Sequence, residues 1–441
     1  MKAKITCKQH RSFYFIKGEM TLTIDFELDS EHDRTIARGF NAGSIDLKLQ
    51  GTRASFYFPF SFKLPHPDLV ALACIKIISP YVGRQLELEQ GVSPEFAEFI
   101  QKKYGFSLHP IDYSLKKRQV PLFSQWGVSF SGGADSVAAS LIMPNTIPLI
   151  FSMRTPHTSL PPIEQWYKVD GNLQSLGAMP DSYNKIVVKT DFEYLSTHIS
   201  GNWCHYPDNY SFTIPALLLA DHLNLKGIIT GDIWAAFTAD ESVLKVAGDF
   251  KSHENGLYEQ VGLMLDYPLS GVGEFGSALI NRNFGMQDKT TTCAYGEYQK
   301  PCEKCIKCFR KILIACAMDN KMPTSNQLKK FEASKDIRSY LTSHQRSSYA
   351  WYPTYKYVYQ KLGKFNSPFI DAFFERISGL IPDANFSLKY HPRAYQNRES
   401  ILPEATAYIK QNFEVMTEDE VNFFDNFETV SVFQKDQTND S

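Results

Sequence analysis

Residues 126–143 read WGVSFSGGADSVAASLIM. An apolar pentapeptide, Trp126 to Phe130, runs into a turn, Ser131 to Ser136, and the turn runs into a helix-forming stretch. The pattern predicts a strand, a tight turn and a helix in succession. Adjacent glycines, Gly132 and Gly133, let the backbone pass close to an anion with no Cβ in the way. The helix that follows offers free N–H groups and the positive end of its dipole. Ser131 and Ser136 add hydroxyls. The unit therefore predicts a cradle for a pyrophosphate. It is not a Walker loop, because no Gly-Lys-Ser/Thr follows the glycines.

The same texture continues downstream. PLIFSM (148–153), KIVVKT (185–190) and GIITGD (227–232) are strand candidates, separated by helix-like stretches at 161–177 and 211–225. Strands alternating with helices predict an α/β fold, a parallel sheet with helices on both faces. Ligands in such sheets bind at the carboxyl ends of the strands, where SGGADS and Gly231-Asp232 both fall.

Upstream, RSFYFIKGEMTLTIDFEL (11–28) and SIDLKLQGTRASFYFPFSF (44–62) alternate apolar and polar residues, and helical runs follow at 66–82 and 93–105. The basic stretch SLKKRQVP (114–121) reads as a linker. The divisions expected are a β-rich N-terminal α+β accessory domain (1–120), the α/β unit (121–320) and a mostly helical C-terminal extension (321–441) with a polar, frayed tail. An aromatic run, Tyr349 to Tyr359, is expected to pack against the main domain, or else to form a partner-binding face.

Four cysteines, Cys293, Cys302, Cys305 and Cys308, occur in the string CAYGEYQKPCEKCIKC. Their spacing lets four thiolates wrap one ion, which suits Zn²⁺ best. An iron–sulfur cluster is the rival. Lys300, Lys304, Lys307 and Arg310 are expected to offset the thiolate charge. The other cysteines, Cys7, Cys74, Cys204 and Cys316, read as ordinary buried thiols, with Cys204 set in the polar stretch GNWCHYPDNY.

A formal net charge of -2 gives no global basic field for a nucleic-acid partner. No apolar run approaches the roughly 18 residues of a membrane span. The start, MKAKITCKQHRSF, lacks the apolar core of a secretory signal. A cytoplasmic location is the expectation.

SGGADS placed after a strand resembles the signature SGGxDS of the PP-loop ATP pyrophosphatases, which have the adenine nucleotide alpha hydrolase-like fold. The resemblance implies cleavage of ATP between its α and β phosphates. It implies that Ser131, Gly132, Gly133, Asp135 and Ser136 hold pyrophosphate and Mg²⁺, with Asp135 and Ser136 catalytic. Phe151 and Met153 would lie near the adenine, and Asp232 would orient substrate or metal unless it merely caps a helix. A second string, TTCAYGEYQKPCEKCIKCFR (291–310), is similar to the zinc segment of 7-cyano-7-deazaguanine synthase. There a Cys is followed by Gly-Glu, then by C-x-x-C-x-x-C and a basic residue. YPDNY and DYPLSGVGEF (266–275) resemble further stretches of that family in the same order, so the similarity covers roughly residues 125 to 318.

The substrate pocket departs from that family. Its acidic, tyrosine-rich stretch is replaced by IWAAFTADES, with Trp234, Phe237 and Asp240, and its lysine after Pro-Leu is missing from SGVGEF. Conventional members are about half this length. Enlarged relatives occur in bacterial antiphage-defence operons, and some join a deazaguanine to the N-terminus of a partner protein. The resemblance thus implies a deazaguanine-like small molecule and a protein partner from the same operon. The activity it implies is adenylation of a 7-carboxy-7-deazaguanine-like carboxylate by ATP, giving an amide or nitrile. Arg154, Lys189 and Arg282 are candidate cations for charge stabilisation. His205, Tyr206, Asp208 and Asn209 lie where the family's substrate loop would be, and Trp234 either stacks on a purine or belongs to the core. Two alternatives stand beside this. One is a tRNA thiolase using Cys204 as nucleophile. The other is a non-catalytic nucleotide-binding scaffold for a partner protein.

Overall fold

Strand β2 (Glu19–Glu27) buries Met20, Leu22, Ile24 and Phe26 and leaves the residues between them half-exposed or exposed. That period of two is what a strand with one apolar face requires. β8 (Gln125–Phe130) is instead buried at every position after Gln125, as expected of an interior strand covered on both sides. The computed structural model describes residues 1–10, 18–39, 45–155, 169–199, 210–235, 254–291, 293, 295–342, 351–380, 385–396 and 398–425.

The remaining strands are β1 (Lys2–His10), β3 (Ile36–Gly39), β4 (Ile45–Leu49), β5 (Arg53–Phe58), β6 (Gln85–Val92), β7 (Ser107–Ile111), β9 (Pro148–Arg154), β10 (Asn184–Thr190), β11 (Ser196–His198), β12 (Leu225–Ile229), β13 (Met264–Asp266), β14 (Lys389–Tyr390) and β15 (Glu414–Val415). Ten of them form one sheet in the order β13-β12-β8-β9-β10-β5-β2-β1-β6-β7. Pairing is parallel from β13 through β10, antiparallel through β5, β2 and β1, and parallel again through β6 and β7. The fold is therefore mixed α/β with a large, mostly parallel sheet. β11, β4 and β3 make a small second sheet, and β14 pairs with β15.

The strands of the first 60 residues join the alternating region directly. β10 pairs antiparallel with β5, Lys189 opposite Tyr57 and Thr190 opposite Phe56. One apolar cluster runs across this seam, from Leu22 and Phe56 to Leu217 and Tyr258. On β9, Ile150 belongs to that cluster while Leu149 and Phe151 belong to another on the opposite face. The helix Ile214–Leu219 covers the first face and the helix Ala134–Leu141 the second. A third cluster joins the C-terminal helices. It is rich in aromatic contacts, among them Tyr355 against Phe373 with ring centroids 5.3 Å apart. The described part of the aromatic run forms the helix Tyr352–Leu362, and its Tyr352, Tyr355 and Tyr357 are core residues of this cluster rather than an open face. Among the described residues, no helix is long and apolar enough to cross a membrane.

Candidate functional site

β12, β8 and β9 are neighbours with parallel directions, so their carboxyl ends open on one place. A cavity of about 420 Å³ lies there. Ser131, Gly133, Asp135 and Ser136 line it from the turn after β8, Gly231 and Asp232 from the turn after β12, and Arg154 from the end of β9.

The turn after β8 is held by its own side chains. Ser136 Oγ accepts from Ser131 N–H at 3.2 Å and from Ser131 Oγ at 2.9 Å, and donates to the Gly133 carbonyl at 3.1 Å. Gly132 sits at φ +74, and a Cβ on it would lie 2.8 Å from the Asn172 carbonyl oxygen. Both the left-handed backbone and the close approach demand glycine. Gly231 is constrained by the close approach alone, since its Cβ would meet Ser136 N at 2.5 Å. The two turns therefore touch, and this is how Asp135 and Asp232 come to line the same cavity.

Asp135 accepts a hydrogen bond from Ser277 Oγ at 2.5 Å, and Lys311 Nζ stands 3.7 Å from its Oδ1. Asp232 accepts from Thr230 Oγ1. Burial pushes the Asp232 carboxyl up to about 6; the Thr230 hydrogen bond opposes this and the negative charge of Asp135 adds to it. The native state thus binds this proton more tightly than the unfolded chain, whose value is near 3.8. The resulting penalty is absent below the unfolded value and complete above the folded one, and it amounts to at most about 3 kcal/mol. Asp232→Asn is accordingly expected to raise the melting temperature at about pH 8 and to give almost no gain near about pH 4. Thermal melts at both values check this, and an equal gain at both would show that the buried charge is not the cause.

The opposite wall carries cations. The helix Ile306–Asp319 turns Lys307, Arg310 and Lys311 toward the cavity. Their i, i+3, i+4 spacing places them on one helix face. Arg310 pairs with Glu274 at 2.5 Å and its guanidinium lies 3.7 Å from the centre of the Trp351 ring. Lys311 Nζ forms an ion pair with the other Glu274 oxygen at 2.8 Å. Burial works against the Glu274 carboxylate, but Arg310 and Lys311 outweigh it and hold its pKa below the usual range. Burial likewise works against the Lys311 ammonium, and Asp135 and Glu274 more than restore it. One buried carboxylate, Glu274, thus orients two of the three cations of this wall, Arg310 and Lys311.

Beside this wall the four cysteine sulfurs all lie within 4.8 Å of one another. Cys293 and Cys305 are 3.9 Å apart, Cys302 and Cys308 3.7 Å. A tetrahedral Zn–S distance of about 2.3 Å requires sulfurs about 3.8 Å apart. The quartet therefore fits a single ion such as zinc. An iron–sulfur cube, which puts each thiolate on a different iron, needs wider spacing. The Cys293 thiol is held far below the usual range, by hydrogen bonds from Cys305 and Cys308 and also by the Cys302 N–H. Cys305 is pushed up to about 12 in turn, chiefly by its bond to Cys293. Backbone N–H groups of Tyr295, Gly296 and Cys302 point at the Cys293 sulfur, at 3.4, 3.0 and 3.4 Å.

Not every residue expected at the site from the sequence lines the cavity. Phe151 is packed in the core and Met153 is half-buried against it; neither lines the cavity. Strand alternation gives the reason: Arg154, one residue further, faces the other side and is β9's contribution. Arg154 does reach the site, paired with Glu193 at 2.6 Å. Lys189 is exposed on β10, and Arg282 is tied to Asp319 on the surface. Arg310 and Lys307 face the cavity rather than serving only the thiolates, because the first turn of their helix points that way. Trp234 is a core residue. Cys7 is exposed and Cys316 half-buried; only Cys74 of the described scattered cysteines is buried. Cys204, His205, Tyr206, Asp208, Asn209, Phe237 and Asp240 lie outside the described residues. Glu274, Ser277, Thr291 and Lys311 were not singled out from the sequence. The helical spacing of Lys307 and Lys311 was the available signal.

No curated protein and no solved structure matches the chain. Residues 254–428, less than half of the chain, match the profile of a family of unknown function (DUF6395). The matched segment carries Glu274, the four cysteines, Lys307, Arg310, Lys311 and Trp351, whereas the Ser131–Ser136 turn and Asp232 lie outside it.

Proposed function

We propose that the protein is an ATP-dependent ligase of the 7-cyano-7-deazaguanine synthase type, with a PP-loop fold, which adenylates a carboxylate and passes the acyl group to an amine. The observation that carries this reading is the cavity. It combines a glycine turn at a helix start with the cations Arg154, Lys307, Arg310 and Lys311 and the carboxylates Asp135 and Asp232. Backbone N–H groups and cations together suit a polyphosphate, whose charge grows on the leaving pyrophosphate. Asp135 and Asp232 suit Mg²⁺, which would supply further neutralisation of that charge when bound.

In this scheme the substrate carboxylate attacks the α-phosphorus, the bond to the β-phosphate oxygen breaks, and pyrophosphate leaves against the Ser131–Ser136 turn. An amine then displaces AMP and loses a proton, giving an amide. With ammonia, a second adenylation of the amide and loss of AMP would give a nitrile; a peptide amine stops at the conjugate. The order of motifs along the chain favours 7-carboxy-7-deazaguanine or a close analogue as the carboxylate. The added regions favour a protein amine from the same operon in an antiphage-defence setting.

Incubation with ATP, Mg²⁺ and 7-carboxy-7-deazaguanine, with ammonia or with the protein encoded alongside, tests this by mass spectrometry. The expected products are AMP and either a small amide or nitrile or a mass gain at the partner's N-terminus. AMP formation without either product would leave adenylation standing and remove the deazaguanine. Absence of AMP under every condition would remove the enzyme and favour a nucleotide-binding scaffold.

A further inference from the structure

Residues flanking the cysteine quartet on both sides touch the glycine turn. On the upstream side, Thr291, two residues before Cys293, donates its N–H to the Gly132 carbonyl at 2.9 Å. Its hydroxyl meets Ser175 Oγ at 2.9 Å, on the helix Val169–Ala178 whose Asn172 carbonyl crowds Gly132. On the downstream side, Cys305 is the N-cap of the helix Ile306–Asp319 and Cys308 lies in its first turn. Lys307 sits between those two cysteines, and Arg310 and Lys311 follow within one turn. Lys311 then reaches Asp135 and Glu274, and the helix carrying Glu274 holds the turn again through Ser277 to Asp135 and Asn281 to the Ala134 carbonyl, at 2.5 and 2.8 Å.

The geometry points to a thermodynamic coupling between the two sites: a metal ion on the four cysteines fixes the cation wall and the Gly132 contact, so that polyphosphate binding and metal retention strengthen each other. This deepens the polyphosphate reading of the cavity and rests on it. The physical reason is that three long cationic side chains lose rotamer freedom when they converge on an anion. A helix start pinned by two metal ligands has already fixed where those side chains begin, which leaves less to be ordered on binding. Linkage makes the effect reciprocal: whatever factor the metal adds to polyphosphate affinity, the polyphosphate adds to metal affinity.

The test uses the full chain loaded with zinc, inorganic pyrophosphate as the probe and a chromogenic chelator competing at equilibrium to report the zinc dissociation constant. Calorimetry under the same conditions reports whether pyrophosphate binds. Saturating pyrophosphate is expected to lower the zinc dissociation constant by about tenfold, within the range usual for coupled sites. Lys307→Gln and Lys311→Met are expected to start with the same zinc content and to lose most of that protection. Lys307→Gln, at a half-buried position, serves should Lys311→Met disturb the Glu274 pair. Because free pyrophosphate also binds zinc, the comparison with the variants isolates the contribution of the protein. Pyrophosphate that binds without protecting the metal would overturn the coupling and leave the polyphosphate site intact. Protection that persists in both variants would overturn the role of the helix. Failure of pyrophosphate to bind the zinc-loaded protein at all would overturn both the coupling and the reading it rests on.

Discussion

Asp135→Asn is expected to lower ATP-to-AMP turnover by a hundredfold to a thousandfold, on the order of losing one preorganised electrostatic contact in a closed site, while the chain stays folded. Asp135 stands in the first turn of the helix Ala134–Leu141, beside the glycine turn and on the rim of the cavity. Asparagine keeps its size and can still accept the Ser277 hydroxyl, which now donates at 2.5 Å. Lys311 retains Glu274 as a partner. What disappears is one negative charge at the position where Mg²⁺ is proposed. AMP release followed by chromatography, alongside a thermal melt, measures both halves of the expectation. Normal turnover in a folded variant would remove the nucleotide site. An inactive variant that has also unfolded would carry no weight for it.

The second large effect concerns the cysteines. Cys308→Ser is expected to abolish stoichiometric metal binding and to cost about 5 kcal/mol of stability, as the loss of a structural metal does. In a chain of this size that is a fall of about five degrees in melting temperature. Cys308 is buried, 3.7 Å from Cys302, and lies in the first turn of the helix bearing the cations. Serine is a poor zinc ligand, and without an ion the closely spaced thiols must compete for protons. Elemental analysis should give about one zinc per wild-type chain and close to none in the variant. About one iron per chain in the wild type would replace the zinc with a single iron ion, and about four with inorganic sulfide would replace it with a cluster.

What could be read from the sequence was local. Alternation makes β2 legible, the glycines mark the turn after β8, and the cysteine spacing marks the quartet. Each depends on neighbours within a few residues. The pairing of β5 with β10 joins residues more than a hundred positions apart, and nothing in either strand names the other. Glu274 illustrates the same limit inside the site. In the sequence it was part of a stretch noted for a missing lysine. Only the fold reveals it as the buried anchor of Arg310 and Lys311. For β9 the strand end is visible in the sequence but its facing is not: Arg154 lines the cavity, whereas Phe151 and Met153 pack against the core. A shift of one residue along a strand exchanges the two faces.

The seam between β5 and β10 also sets a timetable for synthesis. β5 ends at Phe58 and finds β2 on one edge at once, but β10, the strand on its other edge, ends only at Thr190, and the cluster that buries Phe56 and Phe58 is not complete until Tyr267. At 5–20 residues per second, β5 waits on the order of ten seconds on the ribosome for its neighbour. During that interval its pairing edge and two phenylalanines stay available to other chains. The N-terminal region is thus made first yet finished late. Translation speed and chaperone supply should govern the yield of folded protein more than its final stability does.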